Sequence, residues 1–159
     1  MPYSEENILR GLDAAAIMKW QKNRFPAFFV DSIDEAVPGK SAAGRKCFST
    51  NEWFFQNRTD SFVPQVIVSE ALEQVFLMTF LTLPENKGRT TSTISVSAEY
   101  PRAVKAGDTL EISARLALYS RGLARGTAVG TVGNEIACRA AFTVVVPSVM
   151  DAFKPQQEK

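Results

Sequence analysis

Glu70 is a carboxylate within a long apolar stretch of the sequence, residues 64–83. An ionised carboxylate among aliphatic side chains is costly unless it has a partner or a function. Carboxyl groups that are placed in this way can donate or accept protons. We therefore expect a functional role for Glu70, and the alternative is a structural carboxylate that Arg58 neutralises. For two other polar residues of the stretch, Glu73 and Gln74, the structural alternative to a function is a place on the rim of the helix.

Histidine is absent from all 159 residues. Its absence excludes an imidazole base, a Ser/His or Cys/His pair, and a histidine metal ligand. We expect neither a metal ion nor another cofactor. The two cysteines, Cys47 and Cys138, are far apart and lack the CxxC spacing. They are predicted to be buried reduced thiols in a reducing compartment, and a disulfide between them is the alternative.

The composition is that of an ordinary soluble protein, with 45% hydrophobic residues, 22% charged residues and a formal net charge of +1. Such a charge argues against nucleic acid as a partner. Residues 1–10 carry charges and no apolar core of a secretory signal. The longest uncharged runs have 11 residues, which is too short to span a bilayer. We predict a cytoplasmic protein with no membrane partner.

The stretch that contains Glu70 is predicted to be a long central helix. It opens with Pro64, which suits the first turn of a helix, and it stops before Pro84. Because its apolar residues lie on nearly every side, the helix must be enclosed by the other elements. A second helix is predicted in the N-terminal segment 1–22, and residues 150–159 are predicted to be a loose tail.

Strands are predicted on both sides of the central helix, because apolar and polar residues alternate there. They cover residues 27–33, 41–49, 94–100, 110–119, 123–132 and 136–146. The strand 94–100 is expected to bury the face of Ile94 and Val96. The strand 123–132 carries a row of small residues, which we expect to admit the helix, with a ligand as the alternative. This order predicts one α+β domain over residues 1–159, with a sheet curled around the helix.

An aromatic segment, residues 51–58, precedes the central helix. It is predicted to form a short helical turn and then a loop at the mouth of the buried helix. At least two of Trp53, Phe54 and Phe55 are expected in the core. The loop is where chemistry could take place, because loops on a rigid scaffold often carry functional side chains.

Several segments, in this order, resemble the β-hydroxyacyl-acyl-carrier-protein dehydratases of type II fatty acid synthesis. The segments are Arg24-Phe25-Pro26-Ala27-Phe28-Phe29-Val30-Asp31, Asn51-Glu52-Trp53-Phe54-Phe55-Gln56, Pro64-Gln65-Val66-Ile67-Val68-Ser69-Glu70-Ala71-Leu72-Glu73-Gln74, Ala106-Gly107-Asp108, Arg121-Gly122 and Glu135-Ile136-Ala137-Cys138. The resemblance covers about residues 20–145 and implies the hot-dog fold. It also implies a dimer or higher oligomer, with tunnels for acyl thioesters at the protomer interface. The thioester partner would be an acyl carrier protein or coenzyme A.

The resemblance also implies roles for individual residues. In the family, a histidine after Phe-Phe-Gln is the base at C2 of the 3-hydroxyacyl thioester, and a glutamate of the central helix handles the leaving hydroxyl. Glu70 matches that glutamate, whereas Arg58 occupies the histidine position. The residues assigned to substrate binding are Phe55, Gln56, Asn57, Val66 and Gln74.

Arginine is cationic at any working pH and cannot accept the C2 proton, so the family's acid/base pair is incomplete. Three hypotheses follow. The first is an acyl-thioester lyase or hydratase in which Glu70 is the acid/base group and Asp60 or a partner subunit replaces the histidine. The second is a thioesterase that uses Glu70, with Gln56 or Asn57 polarising the carbonyl. The third is a non-catalytic acyl-binding protein or the inactive subunit of a hetero-complex.

Overall fold

The computed structural model describes residues 7–155. Within this range the chain forms strands and helices in an order that places the long helix in the middle. They are β1 (Leu9–Asp13), α1 (Ala14–Ile17), β2 (Ser32–Val37), β3 (Ser41–Cys47), α2 (Gln65–Leu81), β4 (Ser92–Glu99), β5 (Thr109–Ser120), β6 (Leu123–Val132), β7 (Glu135–Val145) and α3 (Pro147–Asp151). Short 3-10 turns lie at Trp53–Phe55 and Pro84–Asn86.

The strands form one sheet in the order β1-β2-β3-β5-β6-β7-β4, and each neighbouring pair is antiparallel. Helix α2 contacts β2, β3, β5, β6 and β7. Strands lie about 4.8 Å apart and a helix is about 10 Å wide, so one helix reaches five strands only if the sheet curves around it. The predicted α+β fold, a hot-dog fold with a curved antiparallel sheet around one long helix, is confirmed.

Helix α2 is enclosed as predicted. Every residue from position 71 to position 81 is buried. The ring of Phe76 stacks on Phe142 at 5.3 Å between centroids, and Phe80 stacks on Tyr119 at 5.7 Å. Aromatic pairs of this kind add to the stabilisation by buried area and hold the helix at a fixed height over the sheet.

The small residues of β6 make room for the helix. A Cβ atom on Gly126 would lie 2.5 Å from Cε2 of Phe76, and one on Gly130 would lie 2.9 Å from Cδ1 of Leu72. Real Cβ atoms do not approach other atoms so closely, so the two glycines set the distance between strand and helix. The expectation that the helix occupies this row is confirmed.

The prediction of an N-terminal helix is wrong for most of the described part of that segment. Residues 1–6 lie outside the described part of the chain, and residues 9–13 form β1, which pairs with β2. Only Ala14–Ile17 is helical. Gly11 has φ +62°, which interrupts the alternation of the strand. Leu9 and Leu12, three residues apart, therefore both pack against the core and mimic helical spacing.

The strand predicted at 27–33 begins later, at Ser32, and continues to Val37. In the preceding segment the backbone bonds to other groups: the N–H of Phe29 donates to the side chain of Gln74 at 2.7 Å. A backbone donor that a side chain already satisfies is lost to a strand ladder. The sequence pattern located the extended chain but not the start of the pairing.

Strand β4 lies at one edge of the sheet, and the face predicted to be buried is open. Ile94 is 62% exposed and Val96 is 46% exposed. In the sheet, β4 has β7 on one side and no strand of the described chain on the other. The alternation predicted the strand correctly, but the burial of that face was wrong for the single chain.

The C-terminal segment is more ordered than a loose tail, so that prediction is partly wrong. Met150 and Asp151 belong to α3, and the guanidinium of Arg121 lies 5.6 Å from the ring centre of Phe153. Residues 156–159 lie outside the described range. Across residues 7–155, no helix has both the length and the apolar character needed to cross a bilayer. The cytoplasmic location stays a prediction.

Candidate active site

Glu70 lies in the second turn of α2 and is half-buried. Its Oε1 accepts a hydrogen bond from Nε2 of Gln74, at 3.1 Å. Residues four apart on a helix lie one above the other, so the helix itself brings the two side chains together. The structure thus joins two of the predicted site residues.

Gln74 is fully buried, and its amide is bonded on both sides. Nε2 also donates to the carbonyl of Ala27 at 2.7 Å, and Oε1 accepts from the N–H of Phe29 at 2.7 Å. The side chain therefore replaces a strand partner for the segment before β2 and holds this segment against Glu70. A role of Gln74 in substrate binding stays a prediction.

Glu73 is buried, only 6% exposed, and so, like the buried Gln74, it does not lie on the rim of the helix. It accepts a hydrogen bond from the hydroxyl of Thr93 in β4. Burial raises the pKa of Glu73 to about 7, and the charge of Glu70 and a hydrogen bond with it act in the same direction. Thr93 opposes this shift. The alternative of a helix rim is wrong because α2 is buried along the whole of residues 71–81, as the apolar residues around Glu73 indicated.

Arg58 pairs with Asp60 and not with Glu70, so the alternative in which Arg58 neutralises Glu70 is wrong. Its Nη2 lies 2.7 Å from Oδ1 of Asp60, and this oxygen also accepts from the N–H of Phe62 at 3.0 Å. Asn57 has φ +61°, which turns the loop back on itself just before Arg58. The arginine and the aspartate therefore neutralise each other within the loop, at the surface.

The aromatic turn, Trp53–Phe55, joins this loop to the core. Phe54 is buried and Phe55 packs against it edge-on at 4.8 Å, so the prediction that two of these residues are core is confirmed. A cavity of about 190 Å³ lies beside the turn. It is lined by Thr50, Phe55, Arg58, Asp60, Ser61 and Ala106.

The other predicted contacts lie at the surface. Gln56 and Asn57 are exposed on the loop, and Val66 is 71% exposed in the first turn of α2. Phe62, just before the helix, is also exposed. No side chain caps the helix at Pro64, and the N–H groups of Ile67 and Val68 donate to the carbonyl of Pro64, which leaves the N–H groups of Gln65 and Val66 as the free donors of the first turn. The mouth of the helix thus combines apolar side chains with free backbone donors.

The cysteines and acidic residues show no metal site in the described part of the chain, where no group of three or more such side chains could hold a metal ion. Cys138 is buried, and burial raises the pKa of its thiol to about 11. Cys47 is exposed, which corrects its predicted burial. Both are free thiols.

No protein-family model matches the chain. Curated proteins named 3-hydroxyacyl-[acyl-carrier-protein] dehydratase FabZ do match it along most of its length. That of Chloroflexus aggregans is 35% identical over 138 residues, which are 85% of this chain and 96% of the relative. That of Latilactobacillus sakei is 36% identical over 138 residues, which are 85% of this chain and 99% of the relative.

Solved structures match the fold. The dehydratase heterocomplex ApeI:P from Xenorhabdus doucetiae has a TM-score of 0.71 at 9% identity, over 87% of this chain and 97% of that chain. The protein smu.793 from Streptococcus mutans UA159, solved bound to acetyl CoA, has a TM-score of 0.58 at 18% identity, over 79% of this chain and 93% of that chain. At these identities the likeness establishes the fold alone.

Proposed function

Because the chain belongs to the 3-hydroxyacyl-[acyl-carrier-protein] dehydratase family, we propose that it interconverts 3-hydroxyacyl and 2-enoyl thioesters, with Glu70 as the acid/base group. The observation that carries this proposal is the position of Glu70. The carboxylate lies on the central helix of the family fold, half-buried and oriented by the amide of Gln74. A carboxylate that is held in this way has a fixed direction for proton transfer.

The surroundings of Glu70 suit an acyl thioester. Val66 and Phe62 offer exposed apolar surface near the start of α2, where an acyl chain can lie. The N–H groups of Gln65 and Val66 in the first helical turn, which no side chain caps, are donors for the thioester oxygen as it gains negative charge. The thioester carrier in this proposal is acyl carrier protein or coenzyme A.

A homodimer is part of the proposal. The edge strand β4 exposes Ile94 and Val96, and an edge strand presents unpaired backbone donors and acceptors to a further strand. Pairing of β4 with its copy would cover this apolar surface and continue the sheet. The acyl tunnel would then form between two protomers.

The test is whether the purified protein hydrates 2-enoyl thioesters. The loss of enoyl-thioester absorbance measures the reaction. Glu70→Gln keeps the shape and the hydrogen bond from Gln74 but cannot transfer a proton, so kcat is expected to fall by roughly 100-fold or more. The matched control is Glu85→Gln, the same change at an exposed carboxyl beyond the other end of α2. Activity that survives in Glu70→Gln would overturn the role of Glu70. Release of free thiol without hydration would indicate a thioesterase instead.

A second candidate is the subunit of a hetero-complex. The chain has no histidine, and Arg58 is neutralised by Asp60 at the position of the family's base. The structural relative from Xenorhabdus doucetiae is itself described as a heterocomplex. This candidate predicts no turnover by the chain alone, and turnover after a histidine-bearing member of the family is added. This candidate is excluded if the isolated chain hydrates 2-enoyl thioesters as fast as it does after the histidine-bearing protein is added.

A further inference from the structure

Glu70 and Glu73 form a carboxyl pair on one face of α2. The spacing of three residues places their side chains on the same side of the helix, and the charge of Glu70 contributes to the raised pKa of Glu73. Glu73 is the inner member, almost fully buried, and Glu70 is the member that a substrate can reach. Thr93 fixes Glu73 from β4, while Gln74 fixes Glu70 from the next turn.

The charges around Glu73 favour a proton on this pair. Thr93, from β4, is a neutral hydroxyl, and Glu70, from the helix, is the charged group that influences Glu73. Lys46, a buried cation on β3, which packs against α2, is already paired with Glu52 at 2.9 Å and with Asp31 at 3.5 Å. Two carboxyl groups on the same side of a helix, one of them buried, cannot both ionise at low cost, so one of them keeps its proton.

We propose that Glu73 is a positioning residue that shares one proton with Glu70, so that the pair supplies both an acid and a base at neutral pH. This inference rests on the proposed function, because it assigns the source of the protons for that reaction. It also accounts for the absence of histidine from the chain, since a pair that holds one proton contains a carboxylate and a carboxylic acid together.

The carboxyl pair can supply and take back every proton that the reaction transfers. In dehydration, the C2–H bond breaks, its proton passes to Glu70, and its electron pair is delocalised onto the thioester carbonyl. The electron pair then forms the C2–C3 double bond as the C3–O bond breaks, and the leaving oxygen takes a proton from Glu70 and departs as water. Glu73 keeps its own proton throughout, so that Glu70 has no second negative charge beside it and can release its proton to the leaving oxygen. Above pH 7, an ionised Glu73 would make Glu70 hold that proton more tightly. The pair therefore ends with one proton, as it began, and no further reactant is needed.

The test combines a pH profile with a direct measurement of protonation. In the wild type, we expect kcat/KM to fall about tenfold per pH unit above pH 7, where the pair loses its shared proton. In Glu73→Gln, the fall of kcat/KM above pH 7, which is the basic limb of the pH profile, should disappear. The same substitution should lower kcat roughly tenfold or more, with little change in KM. Thr93→Val removes a hydrogen bond that favours the ionised form, so the limb should move to higher pH.

Carbon-13 NMR of protein labelled at the glutamate carboxyls measures the proton without any turnover. Glu73 should titrate near pH 7 in the wild type and at lower pH in Glu70→Gln, because the neighbouring charge is gone. If this coupling is seen and no thioester reacts, the proposed function fails and the shared proton stands. If thioesters react but Glu73→Gln has the pH profile of the wild type, or if Glu73 titrates in the ordinary carboxyl range, the inference is overturned.

Discussion

Gln74 donates its side-chain amide to Glu70, one turn earlier in α2, and the same amide nitrogen bonds the carbonyl of Ala27. One side chain therefore connects the candidate catalytic carboxylate to the segment that leads into the sheet. Any movement of this segment is transmitted to Glu70 through a single buried amide. The arrangement makes the orientation of the carboxylate a property of the fold and not of the local helix alone.

Replacing Gln74 should cost stability. Gln74→Leu retains most of the volume but leaves the carbonyl of Ala27 and the N–H of Phe29 without a partner in a buried place. Each such orphaned group costs about 1–3 kcal/mol, so we expect the free energy of unfolding to fall by roughly 2–4 kcal/mol. Urea denaturation followed by circular dichroism measures this loss. Gln65→Leu, the same change at the exposed start of α2, should lose under about 0.5 kcal/mol. Equal losses of stability in the two variants would show that the hydrogen bonds of Gln74 to Ala27 and Phe29 do not stabilise the fold.

The raised pKa of Glu73 also predicts how stability depends on pH. The carboxyl loses its proton near pH 4.5 in the unfolded chain and near pH 7 in the folded one. Between these values the folded state binds more protons, so the free energy of unfolding falls as pH rises and reaches its lower level above about pH 7. The total is on the order of 3 kcal/mol.

Glu73→Gln isolates this contribution from that of the other carboxyls. The amide carries no charge, so the variant should gain stability relative to the wild type as pH rises from about 4.5 to 7, and the gain should then stay constant. Each kcal/mol corresponds to about 2–4 °C in Tm for a chain of this size, which calorimetry resolves. In Glu85→Gln, the exposed control, the difference from the wild type should remain small at all pH values. A flat difference for Glu73→Gln would show that the carboxyl titrates normally.

The sequence predicted α2 and its enclosure because both depend on local signals. Pro64 marks the start of the helix, and apolar residues on all sides leave no solvent-facing stripe. Gly126 and Gly130 lie in a strand of alternating pattern, and glycines there indicate that another group packs closely against the strand backbone. These features need no knowledge of the partner element.

Other features depended on long-range geometry and were missed. Gly11 adopts positive φ, so β1 carries apolar residues at a helix-like spacing. Glu73 is buried because the sheet curves far enough to cover its side of α2, and its partner Thr93 is 20 residues away in an edge strand. Arg58 finds Asp60 because the loop folds back at Asn57. The residue types alone did not indicate which acidic side chain Arg58 would pair with.

The exposed face of β4 predicts a weakened dimer when it is charged. Val96→Lys places an ammonium in the apolar surface that we assign to the contact between two copies, where it has no partner and must be desolvated. A cost of about 2 kcal/mol raises the dissociation constant of the dimer by roughly 30-fold. Sedimentation equilibrium over a range of protein concentrations measures the change. Because β4 also carries Thr93, the activity per protomer should fall with dissociation.

The matched control is Leu118→Lys, which charges an exposed apolar residue of β5, a strand with neighbours on both sides in the sheet. This variant should keep the oligomeric state of the wild type, since Leu118 lies away from the sheet edge. Dimers of unchanged affinity in Val96→Lys would place the interface elsewhere. In that case the apolar face of Ile94 and Val96 would not be the surface on which the second copy binds, and the tunnel could not be formed by pairing of β4.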